Sequence, residues 1–297
     1  MSTPRSQRVH ALTVDVEEYF HPNAMDAVVP TDMWDHLPSR VEGNTRRLLD
    51  LLASHAARAT FFVLGWVGER FPHLVRDIGD AGHEVACHGH THRLAYRLGR
   101  DRFRADVGRA KSVLEDITGA PVNGFRAASF SIVPSTPWAI DALVDAGFAY
   151  DASIFPIRHD LYGFPGFPRF PVRLRAAKGE IVEIPASTVR LLGRNWPVAG
   201  GGYLRLLPLA LTRAAIDRIS TRDGAPAIVY VHPWELDPEQ PRLDGSPFTR
   251  FRQYANLRRT ESRLGTLLGE RSFAPLAEVI DFAGAPRYEP AWQGERP

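Results

Sequence analysis

The segment VHALTVDVEEYF, residues 9–20, decides how the rest of the chain is read. Its first part, Val9–Val14, is an apolar run of the kind found in strands covered on both faces. It then turns acidic at Asp15-Val16-Glu17-Glu18. Side chains alternate along a strand, so Asp15 and Glu17 share one side and Val16 faces away. Two carboxylates that close either repel each other or share a cation. Taken alone they read as solvated charges at a strand end. Their weight comes from delivery by an apolar strand to one end of a sheet.

Six further short runs predict strands: Ala59–Leu64, Glu84–Cys87, Val122–Phe125, Phe148–Tyr150, Ile181–Ile184 and Ala227–Val231. They alternate with longer helical patterns, as βα units do. Seven such strands suggest a closed or nearly closed α/β barrel, in which working residues lie at the carboxyl ends of the strands. Ser39-Arg40-Val41-Glu42 predicts a capping box, with Val41, Leu48, Leu49 and Leu52 as the buried face of the helix it opens. Asp101 is placed to cap a helix with Phe103, Val107, Ala110, Leu114 and Ile117 inside and Gly119 past its end. Ser135 and Pro137 open another, carrying Ile140, Leu143 and Val144, and Pro208 a further one, carrying Leu211, Ala215 and Ile219. Residues 155–171, rich in Pro, Gly and aromatics, predict an irregular excursion. A Pro- and Asp-rich segment, Pro233–Phe248, precedes a late helix over about Arg250–Gly269.

Three more strand ends carry groups able to do chemistry. After the third strand comes Cys87-His88-Gly89-His90-Thr91-His92, and neutral imidazole is the commonest metal ligand. Either His88 and His92 converge across a turn that Gly89 permits, or His88 and His90 share a strand face. Two histidines and one carboxylate, with positions left for water, make a catalytic rather than a closed structural zinc site. Cys87 reads as a small buried residue at a strand end. Arg126 closes the fourth strand, where it would hold Asp15 ionised and oriented. His232 follows the apolar run Ile228–Val231. A metal lowers the pKa of water, and amide hydrolysis also needs a base for that water and an acid for the departing amine. The four strand ends offer candidates for all three.

The bulk numbers leave this reading room. With 297 residues, 44% hydrophobic and 24% charged, the chain can bury a substantial core. A net charge of +2 does not argue for nucleic acid. The single cysteine excludes a disulfide framework and a paired-cysteine zinc site. No run of roughly 18 apolar residues predicts a spanning helix, and the first residues lack the apolar core of a secretion signal, so a soluble cytoplasmic protein is expected. Gly200-Gly201-Gly202 reads as a flexible connection, since no GKS or GKT follows.

At these residues the sequence resembles the NodB-homology polysaccharide deacetylases. The matching blocks are TVDVEEYF from Thr13, HGHTH from His88, FRAASFS from Phe125, YDASIFP from Tyr150 and YVHPWE from Tyr230, within roughly Val9 to Glu235. The resemblance implies a distorted (β/α)7 barrel over residues 1–235, with an extension over 236–297 packed on it as one structural domain. It implies Asp15 as catalytic base, Arg126 as the residue that orients it and His232 as general acid. Glu17, His88 and His92 are the implied ligands of a divalent metal, Zn2+ by default. Strand alternation favours Glu17 over Glu18. Phe130, Asp151, Tyr162, Tyr203 and Trp234 are the expected substrate contacts, while Tyr162, Phe164 and Phe167 either stack on sugar faces or cover the barrel edge. The family's adjacent aspartates are replaced here by Asp-Val-Glu-Glu, a common proline by Ala128 and a late leucine by Tyr230. The DASIFPIRHDLYGFP and GGGYLRLLP segments resemble most closely the branch tied to exosortase and exopolysaccharide loci. That implies deacetylation of an N-acetylated exopolysaccharide or its precursor, and leaves room for a substrate on a lipid carrier at the inner membrane face. The rival readings are an amidohydrolase acting on a small amide through His88 and His90, and a carbohydrate-binding protein without catalysis.

Overall fold

A computed structural model describes residues 8–159, 161–198 and 200–293. Its centre is seven parallel strands: His10–Val16, Thr60–Val63, Glu84–Cys87, Gly124–Phe125, Tyr150–Asp151, Gly179–Glu183 and Ile228–Val231. These are the seven read from the sequence. They lie side by side in chain order, and the last pairs with the first, Thr13 opposite Tyr230. The barrel is distorted because Gly179–Glu183 and Ile228–Val231 do not meet. Residues 184–198 and Gly200 lie along that gap. Ile184 donates to the Asp151 carbonyl, the Ile228 N–H donates to Ser187 Oγ at 2.8 Å, and Gly200 bridges to Tyr230. All seven residues of the first strand are buried, as a parallel strand between two covered faces requires.

Helices Val41–Ser54, Arg100–Thr118, Trp138–Asp145 and Leu209–Thr221 cover the barrel with the apolar faces expected of them, with one exception. Leu211 is exposed, and the inner face of its helix is Thr212, Ala215, Ile216 and Ile219. The late helix is two helices, Pro247–Tyr254 and Leu257–Glu270, separated where Asn256 takes φ 60°. The described residues of the excursion over 155–171 form no helix or strand, yet Phe164 and Phe167 are buried, packed on Trp292 and Tyr288. They therefore close the core rather than face a ligand. Four local features escaped the sequence reading. Val172–Ala176 forms an antiparallel hairpin with Gly179–Glu183. Thr188–Leu191 and Arg194–Pro197 form a separate two-stranded ribbon. Phe273–Ala274 pairs with the start of the first strand, and Arg287–Tyr288 pairs with Val172–Ala176. Among the described residues no helix is long and apolar enough to cross a membrane.

The helix Val41–Ser54 does not begin with the capping box expected at Ser39. The Ser39 hydroxyl and the N–H groups of Arg40 and Val41 all donate to Glu18, the latter two at 2.9 and 3.1 Å. Glu42 accepts instead from Arg46 and His73. A full carboxylate is a stronger acceptor than a hydroxyl, and the positive end of the helix dipole favours it further. Sequence-local logic could not see it, because Glu18 lies 22 residues before Arg40.

Glu18→Ala would strand these partly buried donors and cost about 1–3 kcal/mol, read as a lowered denaturant midpoint. An unchanged midpoint would mean that Ser39 caps the helix unaided.

Candidate metal and catalytic site

Glu17, His88 and His92 each bring one ligand atom within 4.8 Å of the other two, and all three are buried. Glu17 extends one residue past the first strand, on the side that Asp15 occupies. His88 and His92 flank a turn. Gly89 takes φ 75°, and a Cβ there would lie 2.9 Å from Asp106 Oδ2. Asp106 fixes the turn by accepting from the N–H groups of His90 and Thr91, at 2.7 and 3.1 Å, and from the Thr91 hydroxyl at 2.6 Å. His92 sits at φ 50°, a left-handed conformation that costs a non-glycine residue about 1–2 kcal/mol. That turn swings His90 away, leaving its Nε2 3.8 Å from Glu69. The converging pair is His88 and His92, and the alternative pairing of His88 with His90 does not form. Cys87 lies in the core, and burial pushes its thiol up to about 12.

The donors suit a divalent cation. His88 Nδ1 lies 2.8 Å from the Arg126 carbonyl, which can only accept, so Nδ1 carries the proton and Nε2 keeps a free lone pair. Burial pushes His88 down to about 4, so the imidazole is neutral as a ligand must be. Glu17 Oε1 accepts from the Trp234 indole N–H at 2.9 Å. Glu17 Oε2 is buried with no hydrogen-bond donor, although His92 Nε2 stands 2.6 Å away. Burial would raise the Glu17 carboxyl, but His92, His232 and His88 hold it well below the usual carboxylate range. A buried carboxylate oxygen and an imidazole nitrogen this close, out of hydrogen-bond geometry, are what a shared cation would reconcile. Glu18 takes no part, because the helix start engages its carboxylate.

Beside the three donors lies an Asp–Arg pair. Arg126, almost wholly buried, donates to Asp15 Oδ1 at 2.7 Å and to Thr13 Oγ1 at 2.8 Å. Opposite, His232 Nε2 is 3.8 Å from both Asp15 Oδ2 and Glu17 Oε1. Its Nδ1 lies 3.0 Å from Glu235 Oε2, and Glu235 Oε1 accepts from Arg205 Nε at 2.6 Å. Burial alone would lower His232, but the charges of Glu235, Glu17 and Asp15 raise it to about 9. The sequence reading missed Glu235 and Arg205, although both stand inside motifs it quoted. Glu235 follows His232 by three residues, and Arg205 lies in the GGGYLRLLP run.

These groups floor a cavity of about 420 Å³. Phe130, Tyr162, Tyr203 and Trp234, expected to contact substrate, all line it. Asp151 does not line it; it is fully buried behind, accepts from the Ser153 hydroxyl and stands opposite Glu183 in register. Burial pushes Asp151 up to about 6 and Glu183, with Asp151 beside it, well above the carboxylate range. One further wall comes from Phe248, Phe251, Arg252 and Gln253, which the sequence did not place at the site.

Comparison with known proteins bears on this geometry. Residues 23–148 match the family model of polysaccharide deacetylases, and residues 152–281 match that of a domain of unknown function, DUF3473. The chain is similar to a peptidoglycan-N-acetylglucosamine deacetylase of Bacillus cereus, 32% identical over 75 residues, 25% of this chain and 27% of that protein. It is also similar to a chitooligosaccharide deacetylase of Sinorhizobium fredii, 31% identical over 128 residues, 35% of this chain and 60% of that one. The chain thus spans about a quarter of the first relative and three fifths of the second. In fold it resembles the crystal structure of a provisionally assigned polysaccharide deacetylase from Mycobacterium smegmatis. There the TM-score is 0.63 at 20% identity, over 100% of this chain and 97% of that one.

If Glu17 and not Glu18 completes the donor set, Glu17→Ala weakens zinc affinity by about 100-fold or more, whereas Glu18→Gln leaves it within a few-fold. Competition titration with a chromophoric chelator separates the two, and equal losses would remove the distinction.

Proposed function

The chain belongs to the polysaccharide deacetylase family, and on that premise we propose that it is a metal-dependent hydrolase that removes N-acetyl groups from amino sugars and releases acetate. One observation carries the reading. Asp15, gripped by Arg126, and His232, backed by Glu235, face each other across the three donors Glu17, His88 and His92. An amide needs a base on one side of its carbonyl and an acid at its nitrogen, and that is the arrangement present.

A divalent cation held by Glu17, His88 and His92, zinc by the donor set, would supply Lewis acidity toward the acetyl carbonyl and acidify the attacking water. The chain's own groups do the rest. Asp15 Oδ2 faces His232 while Oδ1 is held by Arg126, so the free oxygen is the one able to take the proton of the attacking water. The Nδ1–H of protonated His232 hydrogen-bonds to Glu235, which turns Nε2–H inward; that Nε2 proton passes to the departing amine and leaves His232 neutral. Trp234 fixes the rotation of Glu17 through its indole N–H. Phe130, Tyr162 and Tyr203 offer apolar faces for a sugar ring, and the cavity's size suits a sugar unit rather than a bare small amide. The natural substrate we assign is an N-acetylated exopolysaccharide or its precursor, on the resemblance of the DASIFPIRHDLYGFP and GGGYLRLLP segments. A binding protein without catalysis would need neither the buried base nor the paired acid.

Purified protein should release acetate from N-acetylglucosamine oligomers, lose that activity on chelation and regain it with zinc. Asp15→Asn should lower kcat by about 10²–10⁴-fold with the metal retained. Release that is indifferent to chelation would overturn the metal assignment.

The acid gives a signed pH prediction. His232 can donate only below its folded pKa, which the carboxylates raise, so activity declines as pH climbs past it. Glu235→Gln removes the largest raising charge, and the alkaline limb of the kcat profile should move to lower pH. A limb that stays in place would show that Glu235 does not govern the acid.

A further inference from the structure

Large apolar side chains that face water mark a binding surface when they gather in one place. Four of them, Leu161, Leu206, Phe248 and Phe251, line the cavity. Phe248 and Phe251 are the most exposed of the four, at 68% and 58%. They stand three residues apart on the helix Pro247–Tyr254, so their rings share one face of it. The helix is not held in place by them. Its buried residue is Gln253, whose side-chain amide donates to the Tyr19 carbonyl at 2.9 Å and to Gln240 Oε1 at 3.1 Å. Arg205 donates to the carbonyls of Arg252, Gln253 and Ala255, and Ser246 caps the other end by accepting from the Thr249 N–H at 3.1 Å. The two rings therefore stand clear of the core on a wall that polar contacts fix.

The rest of the cavity indicates what such rings would meet. Its other apolar lining is largely aromatic too, with Phe130, Tyr162, Tyr203 and Trp234. A sugar ring offers a face of C–H groups, which carry slight positive charge. The face of an aromatic ring is negative, so the two pack flat while the sugar hydroxyls stay in water. Side chains at i and i+3, about 5–6 Å apart at Cβ, present a strip about one sugar ring wide. A hydrocarbon chain fits less well. Asn23 also lines the cavity, and its Oδ1 is buried with no donor, which a sugar hydroxyl or amide would supply and a hydrocarbon would not. The cavity is also continuous with Asp15 and His232, so a ligand that reaches both the rings and those groups is the substrate chain itself.

We propose that Phe248 and Phe251 form a platform for a second sugar unit of the glycan, neighbouring the unit whose acetamido group lies over Asp15 and His232. The substrate class is then an oligomer or polymer, and a monosaccharide fills only part of the site. The assignment rests on the deacetylase reading of the cavity floor. Both rings belong to the stretch that matches DUF3473, beyond residues 23–148 that match the deacetylase model. Arg205 ties their helix to Glu235 and, through it, to His232, so platform and acid keep a fixed separation. A chain stacked on the rings is thereby held in register with the proton donor, and binding energy from a unit remote from the reacting bond serves orientation.

Binding measured apart from turnover tests it, with zinc-loaded Asp15→Asn protein titrated with N-acetylglucosamine and with its tetramer by ligand-observed NMR. The tetramer should bind at least about tenfold more tightly than the monosaccharide. In the same background, Phe248→Leu with Phe251→Leu keeps apolar bulk and removes the ring faces. That pair should cut the tetramer's advantage to within about threefold, whereas Phe248→Tyr with Phe251→Tyr should keep it. Thermal melts should stay unchanged, because both side chains are exposed. Equal affinity for monosaccharide and tetramer overturns the proposal, as does absence of tetramer binding or a leucine variant that retains the full advantage. A dimer in sedimentation velocity that Phe248→Ser with Phe251→Ser dissolves would assign the rings to a second copy and overturn it as well. Acetate release by the wild type is scored separately: ring-dependent tetramer binding without release from any oligomer would keep the platform and remove the deacetylase reading.

Discussion

The guanidinium of Arg126 is the group on which both barrel and site depend. It donates to Asp15 and Thr13 on the first strand and to the Ala152 carbonyl after the fifth, and it lies 4.2 Å over the ring of Phe62 on the second. An isolated buried charge would be prohibitive, and removing one partner of such a pair costs on the order of 3–5 kcal/mol. Lysine could not replace it, since only the planar fork reaches three acceptors while stacking on an aromatic face. The same cation faces an excess of buried acids: Asp15 directly, and Asp151 and Glu183 at longer range. One guanidinium cannot neutralise all three. Burial and mutual proximity therefore push the Asp151–Glu183 pair toward keeping a proton, and Asp15 retains the arginine.

The acids after the first strand divide by direction. Asp15 and Glu17 leave the backbone on one side and Glu18 on the other, so a single register sends two carboxylates into the cavity and the third to a helix start. A slip of one residue would turn Asp15 and Glu17 away from the cavity and Glu18 away from the helix start. Residues Thr13 and Val14 are pinned against such a slip by pairing on both sides, to Tyr230 and Val231 and to Thr60 and Phe61. Fold and site are thus set by one alignment.

This explains what was legible in the sequence. Strand alternation and apolar runs are local, so all seven barrel strands and the acidic, histidine, arginine and late histidine strand ends could be read from the residues themselves. Pairings across the chain could not. Glu18 caps a helix from 22 residues away, Asp106 braces the histidine turn from the middle of a helix, and Asp151 proved to answer to Glu183 across two strands rather than to the cavity. Each is a non-local polar contact, invisible to a pattern of period 2 or 3.6. The ribbon was missed for a different reason. Leu191-Leu192-Gly193-Arg194 lacks the alternation of a half-buried strand, because the ribbon is largely exposed on both faces.

The acid side of the site is coupled to the far end of the chain through Arg205. Its Nε holds Glu235, which orients His232. Its other nitrogens donate to the carbonyls of Arg252, Gln253 and Ala255, where the helix Pro247–Tyr254 ends. The Gln253 side chain then reaches back to the Tyr19 carbonyl, just beyond the acids of the first strand. One buried cation therefore fixes the rotation of His232 and the placement of the helix that lines one wall of the cavity. Movement of that wall cannot be independent of His232, because the arginine would have to release either a carboxylate or three carbonyls in a nearly dry interior, where each lost charged contact costs more than in water. Residues beyond the strand that ends at Val231 thus hold His232 at its 3.8 Å distance from Asp15 and Glu17.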